Sequence, residues 1–447
     1  MKNMIPPLPD CLGPKSQDII DVNDAVHSPP SSPKISTKFS TPALTLEPRC
    51  TTSSRGLNSV DKTNKSLKTK NSSTPGIITP SSSLKRALSD SIDVKRTKRQ
   101  PITLVDEVLH NLVQLPLNKT GQCGTLTWST SVEHSYRTET YGVEGPGFTA
   151  EEVLNFKFEG GEKIDFSSIL PHLLVDPLPP SARMCPGAVF ISLNGVDALV
   201  GTGTAEGLWK EFEPLPEPKM PPIKDKKRFA AWVATQETHH EPTLSGGMRW
   251  DLVKEHYGGI AVCRKRLCTV AVAGMEQTPK YDEGKQRVYD LCKLKYASKV
   301  RESLSIFGPK ATDLNCEGNL YWNPEGGPGN CNIPWHRDAE RKLVIGTRWG
   351  NIGMYILWAP FYEGRPVGVP ICKYLPPGAL YVMSFEAAGW APAVGGGWSA
   401  KNSKAFHWKH AAGHRIEDCL GKHEKSMKSL VRRWCIKHSK AVPDWAK

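Results

Sequence analysis

The chain has 447 residues, of which 38% are hydrophobic, and it carries 38 Gly, 37 Pro and a formal net charge of +13. The apolar fraction is low for a fully globular chain, so we expect part of it to lack a packed core. No apolar run approaches the roughly 18 residues that cross a bilayer, which argues against a membrane protein. The positive charge favours a polyanionic partner instead.

The first hundred residues are rich in Ser, Thr, Pro and Lys and contain a single aromatic residue, Phe39. Such a segment buries too little apolar area to offset its chain entropy, so we predict that residues 1–100 form a disordered basic tail. Its last part, "LKRALSDSIDVKRTKRQ", resembles a bipartite nuclear import signal, which predicts recognition by importin and a nuclear location. The alternative is a basic flank that contacts phosphate groups. The two basic clusters consist of Lys85, Arg86, Lys95, Arg96, Lys98 and Arg99.

The N-terminal residues lack the basic-then-apolar pattern of a secretory signal. The twelve cysteines contain no CxxC pair. We therefore expect reduced thiols in an intracellular protein.

Residues 101–225 are predicted to form a smaller accessory α+β region of unknown role. "ITLVDEVLHNLVQL" has apolar residues at helical spacing, and Thr149 with Glu152 forms the pattern of a capping box. "GAVFISLNGVDALVG" is typical of a β-hairpin with an Asn-Gly turn. A Pro- and Lys-rich connector, Glu213–Lys227, predicts a domain boundary near residue 225.

Residues 226–447 contain several short strand-like runs separated by Gly and Pro, for example "RKLVIGTRWG", "MYILWAPFYEG" and "VPICKYLPPGALYVMSF". Many short strands with such turns indicate a β-sandwich or a barrel. Together with the helical segments, they predict an α+β fold.

A histidine and an aspartate two residues apart precede one of these strands, in "IPWHRDAERKLVIG". At a strand edge, His336 and Asp338 would project from the same face. "FHWKHAAGH" follows the strands and offers His407, His410 and His414. Two imidazoles and one carboxylate on one metal ion leave open positions, as in the non-heme Fe(II) oxygenases. The alternative is a pair of surface residues with no metal.

Four segments, "NLYW", "IPWHRDAERKLVIGTRWGN", "LPPGALYVMSFEAAGW" and "KHAAG", resemble the AlkB-type branch of the Fe(II)- and 2-oxoglutarate-dependent dioxygenases, especially its viral and algal homologues. The resemblance covers residues 250–440. It implies that residues 226–447 form a double-stranded β-helix (jelly-roll) catalytic domain with flanking helices.

The resemblance also implies the roles of individual residues. Fe(II) would be bound by His336, Asp338 and His410, and 2-oxoglutarate would be contacted by Asn319 and Tyr321. The distal carboxylate of 2-oxoglutarate would pair with an arginine on a strand after the distal histidine. The candidates, in order of preference, are Arg433, Arg432, and then Lys422 or Lys428. The alternative for this basic cluster is a solvated face or a phosphate-binding patch. A separate arginine, Arg348, could also point into the barrel.

The implied function is oxidation of methyl or alkyl groups on nucleic-acid bases, with DNA favoured over RNA, by demethylation in DNA repair or by hydroxylation. It would use Fe(II), 2-oxoglutarate and O2, with ascorbate as an optional reductant. A base inside a duplex must be flipped out or presented on a single strand, and it needs an aromatic platform. We expect Trp390 or Trp398 in that role, and His407 to be structural or to face the substrate.

Three alternatives remain open from the sequence. One is a dioxygenase that modifies 5-methylcytosine, and another is a hydroxylase or demethylase of proteins such as histones. The third is a binding module that has kept the fold without the activity.

Overall fold

The computed structural model describes part of the chain. The predicted tail and import signal lie outside it. The described residues are 107–108, 112, 121–133, 140–180, 182, 184–214, 225–236, 248, 250, 253–256, 259–262, 267–280, 283, 285–322, 332–338, 341–390 and 406–447.

Strands dominate this part of the chain. In chain order they are β1 (Gln122–Ser129), β2 (Ser131–Glu133), β3 (Thr140–Gly142), β4 (Glu162–Asp165), β5 (Ala188–Ser192), β6 (Val253–His256), β7 (Gly259–Val262), β8 (Leu267–Val272), β9 (Val288–Asp290), β10 (Asn315–Trp322), β11 (Asn332–His336), β12 (Val344–Gly350), β13 (Met354–Tyr362), β14 (Arg365–Pro366), β15 (Ile371–Leu375), β16 (Leu380–Met383) and β17 (His407–Gly413).

Helices connect and flank the strands. They are α1 (Ala150–Leu154), α2 (Phe166–Leu173), α3 (Gly195–Val200), α4 (Thr204–Phe212), α5 (Lys226–Gln236), α6 (Lys295–Ser303), α7 (Ile416–Leu420) and α8 (Glu424–Lys437). Thr149 caps α1 in a reciprocal capping box with Glu152, as predicted. None of the described helices is long and apolar enough to cross a bilayer.

Two large sheets carry the fold. The first has eight strands in the order β4-β5-β16-β12-β1-β10-β8-β9. The second has five strands, four of them in the order β11-β17-β13-β14, and β15 also pairs with β13, on the edge opposite β17. All neighbours are antiparallel except β8 and β9. The prediction of a mixed α+β fold with many short strands is confirmed.

The two sheets contact each other through side chains from both. The indole N–H of Trp358 in the five-stranded sheet points to the sulfur of Met383 in the eight-stranded sheet, at 3.1 Å. Cys123 and Tyr321 from the eight-stranded sheet pack with Met354 and Ala412 from the other. Burial of these apolar side chains is the main term that holds the sheets together.

Strand β1 is central to the eight-stranded sheet. It pairs along its whole length with β10, from Gln122 opposite Trp322 to Ser129 opposite Asn315, and it pairs with β12 on its other side. Leu126 and Trp128 project from one face into a buried cluster with helices α4 and α6. Cys123 packs in the cluster between the two sheets, so β1 is buried on both faces.

The boundary expected near residue 225 does not divide this fold. Strands β1, β4 and β5 precede that residue, yet they lie in one sheet with β8, β10, β12 and β16, which follow it. All of the described residues belong to one compact unit. Composition suggested a linker at Glu213–Lys227, but hydrogen bonding between distant strands joins the two halves.

The hairpin predicted in "GAVFISLNGVDALVG" is also wrong. Its first half is β5, but its second half is helix α3, which begins at Gly195. The backbone of Gly195 lies against β16, where an added Cβ would be 2.6 Å from the Cβ of Leu380. A short apolar run is ambiguous between strand and helix, and packing decides between them here.

We predict that Leu126→Ala lowers the free energy of unfolding of the whole compact unit by about 2–5 kcal/mol, because it leaves a cavity in the centre of the shared sheet. Denaturant unfolding followed by tryptophan fluorescence measures this. Lys163→Ala, on an exposed position of β4, is the control and should have little effect. Two separate transitions, of which only one responds to Leu126→Ala, would show that the halves fold independently.

Candidate metal centre

The pairing of β11 with β17 brings the first and last sequence-predicted ligands together. His336 is the last residue of β11 and lies directly opposite His410 of β17. The two imidazole rings are 4.1 Å apart between centroids. The chain separates these residues widely, so only the antiparallel register places them side by side.

Asp338 completes the group from just beyond the end of β11. Its backbone N–H donates to the carbonyl of Ala388 at 3.0 Å, which fixes the loop. Its Oδ1 lies 3.7 Å from Nε2 of His336 and 3.8 Å from Nε2 of His410. The ligand atoms of all three residues lie within 4.8 Å of one another.

These distances suit one metal ion. Two donor atoms that each lie about 2.1 Å from an ion can be no more than roughly 4.2 Å apart, and both carboxylate–imidazole distances are shorter than that. His336 Nδ1 is 2.8 Å from the carbonyl oxygen of Pro334, an outer contact that orients the ring of a metal-binding histidine. The three residues could therefore hold a metal ion, as the sequence predicted.

The electrostatic environment keeps His410 neutral. Burial lowers its pKa well below the ordinary value, and the nearby His336 and Arg341 lower it further. A neutral imidazole has a free lone pair, which a metal ligand requires.

Asn319 and Tyr321, the predicted cosubstrate contacts, both lie on β10 and are buried. They are two residues apart, so they share a face of the strand. Tyr321 packs in the cluster between the sheets, beside Ala412. The amide of Asn319 donates to the carboxylate of Glu317 at 3.0 Å, and that carboxylate also pairs with Arg341 at 2.8 Å.

Arg433 and Arg432 were predicted to lie on a strand after the distal histidine, and this prediction of their secondary structure is wrong. Both residues lie on helix α8, so the alternation expected of a strand does not apply. Arg433 is exposed, and its Nη1 donates to both carboxylate oxygens of Asp176, at 2.8 and 3.0 Å. Arg432 donates to the backbone carbonyls of Ala446 and Lys447 at the end of the chain. These contacts account for both guanidinium groups at the protein surface.

A different arginine lies inside the fold. Arg348, on β12, is 1% exposed and donates to the hydroxyl of Thr125. Its Nη1 also lies 3.4 Å from the sulfur of Met354, on the other sheet. The sequence could have indicated this burial, because Arg348 stands in the apolar strand "VIGTRWG". A charged residue is rarely buried in such a strand unless it has a partner.

The three histidines of "FHWKHAAGH" have different environments. His407 lies three residues before His410, so its side chain is on the opposite face of β17, and it packs 6.0 Å from the ring of Phe361. This buried contact favours the structural role over a substrate-facing one. His414 lies just beyond the end of β17, which ends at Gly413.

His414 is buried, and its Nε2 has no hydrogen-bond partner among the described residues. Burial lowers its pKa to about 4; Asp418 raises it in part and Arg348 lowers it. Its ring is therefore neutral at pH 7.

Of the two predicted stacking residues, only Trp390 can be placed. Its indole N–H donates to the carbonyl of Arg341 at 2.7 Å, and the ammonium of Lys342 lies 4.8 Å from its ring centroid. Trp390 is therefore held next to the segment that follows Asp338. Trp398 lies outside the described residues.

No protein-family profile matches the chain. The chain is similar to an uncharacterized protein of Acanthamoeba polyphaga mimivirus, with 29% identity over 169 residues, which is 37% of this chain and 60% of the viral protein. The match thus spans less than two thirds of that relative.

We predict that His410→Asn abolishes tight binding of a divalent metal ion. The loss in metal affinity should exceed the roughly 10–100-fold loss that follows mutation of a residue hydrogen-bonded to a metal ligand. His407→Asn is the matched control, because this histidine lies on the other face of the same strand. Mn(II) binding, followed by calorimetry or by electron paramagnetic resonance, separates the two variants. Equal metal affinity in the wild type and in His410→Asn would exclude the site.

We predict that His414 makes the protein less stable in mild acid. Because its pKa is about 4 in the folded chain and about 6.5 in the unfolded chain, the unfolded state gains a proton first as the pH falls. The contribution of His414 to the free energy of unfolding is fully present above about pH 6.5 and is lost as the pH falls towards 4. At pH 5 the loss is roughly 2 kcal/mol.

Urea unfolding of wild type and His414→Asn between pH 8 and pH 4.5 measures this contribution. The variant should lose less stability on acidification than the wild type, while the two curves run parallel above pH 7. An identical pH dependence in both proteins would contradict the assignment.

Proposed function

We propose that this chain is an Fe(II)- and 2-oxoglutarate-dependent dioxygenase that oxidises methyl or alkyl groups on nucleic-acid bases. One observation carries the proposal: His336, Asp338 and His410 converge at the paired strands β11 and β17. Two imidazoles and one carboxylate, with the remaining positions open to other ligands, suit non-heme Fe(II) in oxygenases. A structural zinc site would instead be closed by a fourth protein ligand.

The arrangement of the sheets supports a double-stranded β-helix. In this proposal, β11, β17, β13 and β15 form one face of the barrel, and β16, β12, β1 and β10 form the other. All of these neighbours are antiparallel, and side chains of both sheets pack between them. Strand β1 comes from before the metal residues in the chain, so residues 101–225 would supply part of the catalytic barrel.

The proposed cosubstrate contacts lie on the strand that packs against β17 close to the metal residues. Tyr321 and Asn319 share the face of β10 that carries the contact with Ala412, two residues beyond His410. If bound, Fe(II), 2-oxoglutarate and O2 would supply the oxidation of an unactivated C–H bond to an alcohol, with succinate and CO2 as the other products. The protein's part is to hold the metal through three side chains and to exclude water through the apolar residues around them.

The charge of the chain supports a nucleic-acid substrate. The net charge is +13, and the described surface carries exposed lysines on two helices, such as Lys226 and Lys227 on α5 and Lys425 and Lys437 on α8. Such groups attract phosphates and would make binding salt-dependent. Trp390, beside the segment after Asp338, remains our candidate for stacking on a base.

The proposal includes the predicted nuclear location, through the basic clusters of residues 85–99. It leaves two classes of product. A hydroxymethyl group on nitrogen is released as formaldehyde and restores the base, whereas one on carbon stays, as with 5-methylcytosine. The three metal ligands would serve either chemistry, and also a protein substrate such as a histone, so the product has to be measured.

The test is turnover with defined oligonucleotides. We expect the full chain, loaded anaerobically with Fe(II) and 2-oxoglutarate and then exposed to O2 with ascorbate, to convert methylated oligonucleotides and to release succinate. Mass spectrometry of the nucleosides and a formaldehyde assay identify the product. His336→Ala and His410→Ala should lose the activity, and His407→Asn should keep it.

Each outcome has a distinct meaning. Formaldehyde with an unmodified base indicates demethylation, and a retained oxidised methyl group indicates a 5-methylcytosine-modifying enzyme. Turnover of histone peptides but not of oligonucleotides moves the substrate to protein. Metal binding without any consumption of 2-oxoglutarate would sink the proposal and favour a binding module.

A further inference from the structure

A buried ion pair lies beside the candidate metal centre. The Nη2 of Arg341 donates to Oε2 of Glu317 at 2.8 Å, and the two side chains are only 7% and 6% exposed. Arg341 follows the predicted metal ligand Asp338 by three residues in the chain. Its charge is also close enough to His410 to lower the pKa of that imidazole. The pair therefore belongs to the immediate surroundings of the metal residues.

The ion pair joins the segment that carries Asp338 to the eight-stranded sheet. Glu317 is on β10 of that sheet, and its carboxylate also accepts a hydrogen bond from the amide of Asn319 at 3.0 Å. His336 and His410, in contrast, belong to β11 and β17 of the five-stranded sheet. The geometry of the three metal residues thus depends on attachments to both sheets.

A turn of the eight-stranded sheet holds the same segment from a second side. This turn, residues 384–390, follows β16 directly, and backbone hydrogen bonds of 2.9–3.0 Å within it fix its shape. Its Ala388 carbonyl accepts from the backbone N–H of Asp338 at 3.0 Å. The indole N–H of Trp390 donates to the backbone carbonyl of Arg341 at 2.7 Å. Asp338 and Arg341 are therefore both bonded to the turn.

The turn also packs directly against the metal ligands. Gly389 has a φ of +102°, and a Cβ added to it would lie 2.3 Å from the Cβ of Arg337, the residue between His336 and Asp338. Glycine is the residue that adopts this backbone conformation without strain and allows so close an approach. Packing therefore restricts the place of the two ligands in addition to the hydrogen bonds.

The buried pair is better suited to fixing a position than to stabilising the fold. Taking two charges out of water costs about as much as their attraction returns, so replacing such a pair by apolar residues is often neutral or stabilising. The ligands of a functional site, however, have to be held within roughly 0.5 Å of their working geometry. A charged hydrogen bond is directional and short, which apolar packing is not. Glu317 and Arg341 supply such a bond next to Asp338.

We propose that Glu317 and Arg341 are positioning residues of the metal centre. Their ion pair ties the segment that carries Asp338 to β10 and so holds its carboxylate beside the two imidazoles. The inference rests on the metal-binding part of the proposed function, and it is independent of the substrate and of the cosubstrate.

The test compares metal affinity with stability in a variant that lacks both charges. Glu317→Met/Arg341→Met replaces the pair in the full chain by apolar side chains, so its thermal melt should stay close to that of the wild type. We expect its Mn(II) affinity, measured by calorimetry well below the melt, to fall roughly 10-fold or more, as on loss of a residue that supports a metal ligand. The electron paramagnetic resonance spectrum of the bound Mn(II) should change with the ligand geometry. Wild-type affinity and spectrum in this double variant would overturn the proposal.

Single variants separate an effect of position from an effect of charge. Arg341→Met leaves the Glu317 carboxylate unneutralised near the metal, which by charge alone would raise the affinity for a cation. Glu317→Gln leaves the Arg341 guanidinium unneutralised, which by charge alone would lower it. A positioning pair predicts that both single variants bind Mn(II) more weakly and that the two losses are not additive in the double variant. A higher affinity in Arg341→Met would contradict the positioning role.

Arg301→Met is the matched control, because this arginine also ties another element to the start of β10. On α6, its Nε donates to the carbonyl of Leu314 at 2.7 Å and its Nη2 to Asp313 at 3.1 Å. Its loss should lower the thermal melt and leave the Mn(II) affinity unchanged. If the double variant does not fold, Arg341→Lys and Glu317→Gln decide, since both keep polar groups in place. Wild-type Mn(II) affinity in both of them would overturn the proposal.

The outcomes separate this inference from the function on which it rests. A wild type that does not bind Mn(II) refutes the metal centre and the proposed function together. A wild type that binds Mn(II), with its affinity kept in every variant of the pair, overturns the role of Glu317 and Arg341 alone. Metal binding that depends on the pair, without consumption of 2-oxoglutarate, supports the positioning role and rejects the dioxygenase.

Discussion

The antiparallel register between β11 and β17 is the constraint on which the candidate site depends. It places His336 opposite His410, and the loop that follows β11 then brings Asp338 to within 4 Å of both rings. A shift of one residue would turn His410 to the outer face, where His407 packs against Phe361. The pairing of β17 with β13 on its other side holds this register.

The interior between the sheets combines apolar packing with buried charge. Glu317 and Arg341 form a buried ion pair, and Asn319 is hydrogen-bonded to the same carboxylate. Arg348 is different, because its contacts in the described residues are all uncharged. Replacing a buried ion pair by apolar residues often stabilises a protein, so the burial of Glu317 and Arg341 is by itself weak evidence for a stabilising role.

The central position of β1 explains why composition is a poor guide to domains in this chain. The connector at Glu213–Lys227 is rich in Pro and Lys, and it separates two regions of different character. Yet β1 bonds to β10 and β12, which lie far along the chain. Sheet pairing does not depend on sequence separation, so a composition change can fall inside one folding unit.

The C-terminal basic segment shows where a local pattern was misinterpreted. Arg432 and Arg433 were expected on a strand, where only one could face inward. The apolar residues around them, Met427, Leu430, Val431 and Trp434, recur at helical spacing, and all are buried on one side of α8. The period of the apolar residues was available in the sequence and was the better indicator of secondary structure.

The sequence by itself determined the identity and spacing of the candidate metal ligands. His336 and Asp338 are two residues apart at a strand end, and this local geometry needs no knowledge of the fold. It also determined the α+β class, through the alternation and helical periods of its segments. Only the tertiary structure placed His410 opposite His336 and beside Asp338, and only it showed that Arg348 is buried whereas Arg433 is exposed. Both depend on contacts between strands far apart in the chain, and the register of such contacts is set by packing over the whole sheet rather than by neighbouring residues.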